Sequence, residues 1–179
     1  MRGKIDVFAA FAAALACAWI EAGPAEAARP EWIIEEDGEH REIGLSALGG
    51  VYFTGFGGEG RMSIPVAPAG AIDGLNESFA IEFGAGYQYF VEPKPGFSRV
   101  TFPLMVRWDF HLTPLWTVYG AVGAAGGLPL GRSDPAIFGY HGYVWWITSI
   151  GAFLHLGSGA ALRMEIGSLG LLVGFSWAF

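Results

Sequence analysis

The sequence predicts a closed antiparallel up-and-down transmembrane β-barrel of eight strands, and three observations predict it. Segments of about ten to fourteen residues alternate large apolar side chains with small or polar ones, and Gly- and Pro-rich stretches divide them. The large parity holds most of the aromatic residues, whereas the small parity holds glycine, alanine and the charges. The chain ends on the same pattern, with Leu171, Val173, Phe175, Trp177 and Phe179 on one parity and Leu172, Gly174, Ser176 and Ala178 on the other. A strand points successive side chains to opposite faces, so each segment becomes a ribbon with one large apolar face.

The barrel does not begin at residue 1. Arg2 and Lys4 precede an apolar, Ala-rich run from Val7 to Ile20, and Ala25-Glu26-Ala27 has the form of a cleavage site. Residues 1–27 therefore read as a secretory signal peptide. Acylation at Cys17, the only cysteine, is the competing reading, but Leu15 stands one step from where a lipobox usually has it. Cleavage after Ala27 leaves an exported chain with no disulfide to hold it. It also removes two positive and three negative charges, taking the formal net charge from −7 to −6. With no basic stripe, nucleic acid is not expected as a partner.

Residues 28–42 read as an acidic segment, with Trp32-Ile33-Ile34 set among Glu31, Glu35, Glu36, Asp37, Glu39 and Glu42. The barrel is expected over 43–179. Ile43 to Phe53 is the first strand, followed by a loop from Gly55 to Gly60, which lacks the lysine and following helix of a phosphate cradle. Arg61 to Ala67 is a short strand, possible with Pro65 only if pairing is local or at a bulge. Ser78 to Phe90 and Arg99 to His111 alternate clearly and flank the turn at Pro93-Lys94-Pro95-Gly96. Trp116 to Ala125 returns, and 126–142 is expected to be loop. Tyr143 to Leu156 is apolar on both parities, so its pattern leaves its orientation open. Ala160 to Gly167 then forms a hairpin with the terminal strand.

A helical bundle fails on length and angle. A membrane-spanning helix needs about 20 apolar residues. Arg107 and Asp109, two apart, would stand about 200° from one another on a helix, whereas a strand puts both on one side. A soluble barrel fails on volume, because an eight-stranded interior is only just wide enough to be filled by side chains. Phe79, Ile81, Phe83, Tyr87, Phe102, Trp108, Phe110, Phe175, Trp177 and Phe179 would not fit inside one. The large face must look outward into something apolar, and closure removes the unpaired edges that hydrocarbon cannot satisfy.

The stretch from Arg107-Trp108-Asp109-Phe110-His111 through Thr113-Pro114 to Gly123 resembles the strand, short turn and Gly-rich next strand of the small bacterial outer-membrane β-barrels, the OmpA/OmpX type. Ala161-Leu162-Arg163-Met164-Glu165 resembles their penultimate strand. The resemblance covers most of 43–179 and implies an outer-membrane location. It says little about role, since that superfamily includes adhesins, anchors, channels and lipid-modifying enzymes. It also implies that Phe175, Trp177 and Phe179 form the signal read by the barrel assembly machinery. With a periplasmic C-terminus, Trp108, Phe110, Trp116, Trp177 and Phe179 fall at the inner interface. Tyr87, Tyr89, Tyr140, Tyr143 and Trp145 fall at the outer one, giving two aromatic girdles. This count needs the Arg61 to Ala67 strand, because an odd number is not expected in a bacterial barrel.

The inward charges are Glu82, Arg107, Asp109, Arg163 and Glu165. Burial obliges them to pair, and the reading preferred here is a salt-bridged, mostly plugged interior in a structural or interaction scaffold. A charged constriction in a small-solute or ion pathway is the alternative. A lipid-modifying hydrolase is a further one, with His111 and Asp109, or His155, Ser158 and Glu165, as candidates. His155 and Ser158 would lie on opposite faces, and no serine is placed near His111, so catalytic residues are not expected. No metal-ligand spacing occurs among His40, His111, His141 and His155, and no cofactor is expected. The expected partners are outer-membrane lipid, the assembly machinery and a cell-surface or periplasmic protein.

Overall fold

The computed structural model describes residues 40–52, 55–72, 75–91, 96–130, 144–157, 159–168 and 170–179. The expected signal peptide, Cys17, and residues 28–39 of the acidic segment lie outside the described residues, as do Tyr140, His141 and Tyr143. Eight strands run in chain order: β1 (Gly44–Tyr52), β2 (Gly55–Ala67), β3 (Glu77–Phe90), β4 (Phe97–His111), β5 (Trp116–Leu130), β6 (Val144–Gly157), β7 (Ala160–Gly167) and β8 (Gly170–Ala178). Each pairs antiparallel with its neighbours, and β8 pairs with β1 from Gly44↔Ala178 to Val51↔Leu171, which closes the barrel. The ladder continues to the last residue, where Phe179 and Ile43 exchange backbone hydrogen bonds of 3.0 and 3.2 Å. Closure leaves no open sheet edge.

Two expected boundaries are wrong. Gly55 to Gly60 is not a loop but the first half of β2, paired with both β1 (Gly49↔Gly58) and β3 (Gly58↔Tyr87). Glycine hides the alternation because it has no side chain to display, yet its backbone bonds to both neighbours as any residue does. Residues 126–130, expected as the start of a loop, belong instead to β5, which keeps pairing with β4 as far as Ser98↔Leu130. Among the described residues, β6 pairs with β5 no further than Gly126↔Val144, three residues short of Pro129. Pro65, by contrast, behaves as expected: the β2–β3 register shifts between Pro65 and Ala67.

The strands sort their side chains as the alternation requires. Leu104, Val106, Val122, Ile150 and Phe175 face outward and are about half exposed, forming an apolar outer belt. Their alternates face in. β6, which the pattern left open, turns Trp146 out at 80 % exposure and Ile147 in at 1 %. Trp145, expected at the outer girdle, is instead turned inward, where it packs on an apolar cluster that includes Tyr119, Ile147 and Phe153. The interior is therefore not only glycine, alanine and charge. Tyr87 and Tyr89 keep the outward parity near the mouth distal to the termini, and outside the terminal mouth Phe79 stacks on Trp108 while Phe110 tilts against it.

Candidate functional site: the barrel interior

Three strands each carry an acid and an arginine two residues apart, which strand geometry places on one face. These pairs are Glu59/Arg61 on β2, Arg107/Asp109 on β4 and Arg163/Glu165 on β7. Glu82 on β3 stands alone and joins them. Its Oε1 accepts from Arg61 Nη1 and Arg163 Nη2, each at 2.8 Å. Its Oε2 accepts from Arg107 Nη1 at 2.6 Å and Arg163 Nη1 at 2.8 Å. One carboxylate thus holds three guanidiniums from three strands.

Glu165 is the second hub. It accepts from Arg61 at 2.9 and 3.0 Å, from Arg163 Nη2 at 2.7 Å, and from the Tyr119 hydroxyl at 2.6 Å. Arg163 Nε in turn donates to the Tyr119 oxygen at 2.8 Å. Asp109 receives Arg107 through Nε at 2.8 Å and Nη2 at 2.9 Å, while Glu59 receives Arg61. Ser46 on β1 accepts from Arg163 at 3.2 Å and bonds Ser176 on β8 at 2.6 Å. β6 contributes Phe153, whose ring faces Arg107 and Arg163 at 5.0 and 5.2 Å. Every strand of the barrel takes part.

Tyr119 reaches the hubs because the residue beside it has no side chain. Gly151 pairs with Tyr119 in the β5–β6 register, and a Cβ built on Gly151 would lie 2.4 Å from the phenol. Buried charges must be satisfied by their neighbours, and of the described charged groups in this network Glu59 Oε2 and Arg61 Nε lack a partner. Here Arg61, Glu82 and Arg163 have side chains exposed by 1 % or less.

All five residues proposed from sequence, Glu82, Arg107, Asp109, Arg163 and Glu165, meet in this network. Glu59, Arg61, Ser46 and Tyr119 were missed. Glu59 and Arg61 repeat the two-residue acid–arginine spacing seen on β4 and β7, but the Gly-rich context broke the strand in two and concealed it. Tyr119 gives no such signal, since an inward tyrosine looks like any other in a Gly/Ala-rich strand.

The expectation that no serine lies near His111 is wrong. Ser78 Oγ is 3.0 Å from His111 Nε2, because β3 and β4 pair Ser78 with Asp109, two residues away. The other ring nitrogen of His111 contacts Thr117 Oγ1 at 3.1 Å, not a carboxylate. Thr117 also bonds His155 Nε2 at 2.9 Å, and His40 stacks on His111 at 3.5 Å between ring centroids. Ser158 lies outside the described residues. Glu165 is bonded to arginines and Tyr119, not to His155. Among the described residues, no group of three or more His, Cys, Asp and Glu is placed to hold a metal ion.

No family model and no curated protein matches the chain. A solved structure described as "De novo design of transmembrane beta-barrels" does superpose on it, with a TM-score of 0.58 and 12 % identity over 80 % of this chain and 100 % of that one. The shared fold is that of a transmembrane barrel. The outer membrane protein Ail of Yersinia pestis, solved in a phospholipid bilayer nanodisc, superposes with a TM-score of 0.47 at 11 % identity, over 77 % of this chain and 97 % of that one. At 12 % identity the likeness to the designed barrel speaks for the fold alone.

On the outer wall of the barrel, Phe175, Trp177 and Phe179 project away from the interior, exposed by 50, 42 and 74 %. Phe175 and Trp177 pair with Ala47 and Leu45 of β1 at the seam, their rings 6.3 Å apart. No helix among the described residues is long and apolar enough to cross a membrane.

Proposed function

We propose that this chain is an integral outer-membrane barrel, exported by its N-terminal signal peptide, that serves as a rigid structural or interaction scaffold with a plugged interior. The grip of Glu82 on Arg61, Arg107 and Arg163 from three strands carries this reading. A conducting pore needs charged groups that line a water path and remain free to exchange partners. Glu82 and Glu165 are instead engaged by several donors each, and eight strands leave little room beside them. The apolar outer belt supports lipid as the surrounding medium. The outward aromatic seam of Phe175, Trp177 and Phe179 is consistent with recognition by the assembly machinery, and the resemblance to OmpA/OmpX-type barrels supports the same compartment.

Two measurements test the proposal together. The protein extracted from outer membranes should migrate faster unboiled than boiled, as a detergent-resistant barrel does. Refolded into a planar bilayer, it should carry no steady current, whereas Arg107→Ala should admit one. Steady ion-selective conductance of the wild type would replace the scaffold with a pore.

A further inference from the structure

Arg99 stands outside the network. Arg99, on β4 near the mouth distal to the termini, is 9 % exposed, and no carboxylate among the described residues pairs with it. Its guanidinium is held between the rings of Phe90 and Trp145, at 4.7 and 4.2 Å, and its Nε donates to Gln88 Oε1 at 2.7 Å. That bond orients the Gln88 amide and leaves its Nε2 without a partner on a side chain that is fully buried. The Tyr52 hydroxyl faces that amide at the edge of hydrogen-bond reach, with Arg99 nearby, and has no full partner of its own. Thr101 Oγ1, one step deeper on β4, is likewise unpartnered.

Buried polar groups are normally satisfied, so a local set of unsatisfied ones calls for an explanation. Gln88 Nε2 and the hydroxyls of Tyr52 and Thr101 can all donate, as can the N–H groups of the Arg99 guanidinium beside them. The acid in the same half of the barrel, Glu59, is held by Arg61 through Oε1 while its Oε2 has no partner, and it sits two residues further in along β2 than Gly57, the partner of Gln88. A planar cation fixed between aromatic walls presents its remaining N–H groups in a fork that suits an oxyanion.

We propose that the distal mouth of the barrel is a binding site for a phosphate-type oxyanion, held by Arg99 together with Gln88 and Tyr52. The two flanking rings position the cation and exclude water, and Gly127 makes the arrangement possible. A Cβ on Gly127 would meet the Trp145 ring at 2.9 Å. The anion can come from a free phosphate monoester or from the phosphate of a lipid headgroup, and both offer the same acceptors.

The test is an NMR titration of the refolded full chain in micelles with inorganic phosphate at constant ionic strength. Saturable shifts are expected for the Gln88 side-chain amide, the Arg99 Nε and the Trp145 indole, and none for His155 at the opposite mouth. Arg99→Met should weaken binding at least about tenfold, as loss of charge-assisted hydrogen bonds does. Gln88→Leu should weaken it by a smaller factor. Heat-shifted gel mobility confirms that each variant is folded. Nanodiscs of diphosphorylated lipid A, set against phosphatidylcholine, separate the sources: shifts with lipid A in phosphate-free buffer assign the headgroup, and shifts with free phosphate alone assign a soluble ligand. No shift at the three reporters means that water satisfies these donors, which overturns the proposal. Equal shifts in Arg99→Met also overturn it. Glu92 and Asp134 lie outside the described residues, so the apo Arg99 signal is compared with that of Glu92→Gln/Asp134→Asn. A change there would show that Arg99 is paired within the chain, and would likewise overturn the site.

Discussion

Glu82 and Arg163 join opposite walls of the barrel through two hydrogen bonds of 2.8 Å. They stand on β3 and β7, four strands apart in a ring of eight, so the pair spans the interior at its widest. Removing one partner of a buried ion pair leaves the other uncompensated, which costs about 3–5 kcal/mol. Glu82→Gln should therefore lower unfolding stability by that amount, because it strands part of three guanidiniums at once. Asp109→Asn, which serves Arg107 alone, should cost less. Urea unfolding followed by gel mobility measures both, and a loss below about 1 kcal/mol for Glu82→Gln would contradict the hub.

The Gly151–Tyr119 contact makes a steric prediction. Gly151→Val forces the phenol away from Glu165 and Arg163 and overpacks the interior, at a cost of about 1–3 kcal/mol. Tyr119→Phe, which removes only the hydroxyl, should cost about 1–3 kcal/mol by leaving buried charge less satisfied. The double variant should lose less than the sum, since both act on one contact. Strict additivity would mean that the tyrosine does not depend on the glycine.

The apolar belt predicts a dependence on depth. Val106→Arg should cost about 2–4 kcal/mol in lipid vesicles, as expected near a bilayer midplane, whereas Val144→Arg near a mouth should cost at most about 1 kcal/mol. Two exposed sites on a water-soluble barrel would both fall within about 0.5 kcal/mol. Equal, small effects would argue that no hydrocarbon surrounds the wall.

Ser78 beside His111 invites an assay. A Ser–His pair needs a third group to orient the imidazole, and His111 offers its second nitrogen to Thr117 instead. Wild type, Ser78→Ala and His155→Ala should be indistinguishable on outer-membrane lipid, each at background hydrolysis. Product formed by the wild type and lost in Ser78→Ala would make the chain an enzyme.

Phe179 separates assembly from stability. Its ring points outward at the seam and is 74 % exposed, so Phe179→Ala should change the stability of refolded protein by less than about 1 kcal/mol. The fraction inserted in cells should nonetheless fall several-fold if Phe175, Trp177 and Phe179 are read during assembly. An unchanged inserted fraction would remove that role.

The one-dimensional pattern determined a great deal. A period of two states which face a residue occupies, and the outward face must be apolar wherever the surroundings are. The terminal ribbon, the outward Phe102 to Phe110 series and the inward Arg107, Asp109, Arg163 and Glu165 all follow from that rule. The period does not state which strand lies across the interior, nor whether a glycine run is strand or loop. Backbone pairing decided the second point, making Gly55 to Gly60 half of β2 and bringing Glu59 and Arg61 into the network. Closure of the ring decided the first. Only when β8 meets β1 does β3 face β7, and only then do Glu82 and Arg163, which are 81 residues apart in sequence, share a pair of hydrogen bonds. Where β6 is apolar on both parities, the pattern had no preference to express, and packing of Trp145, Ile147 and Phe153 against Tyr119 settled its orientation.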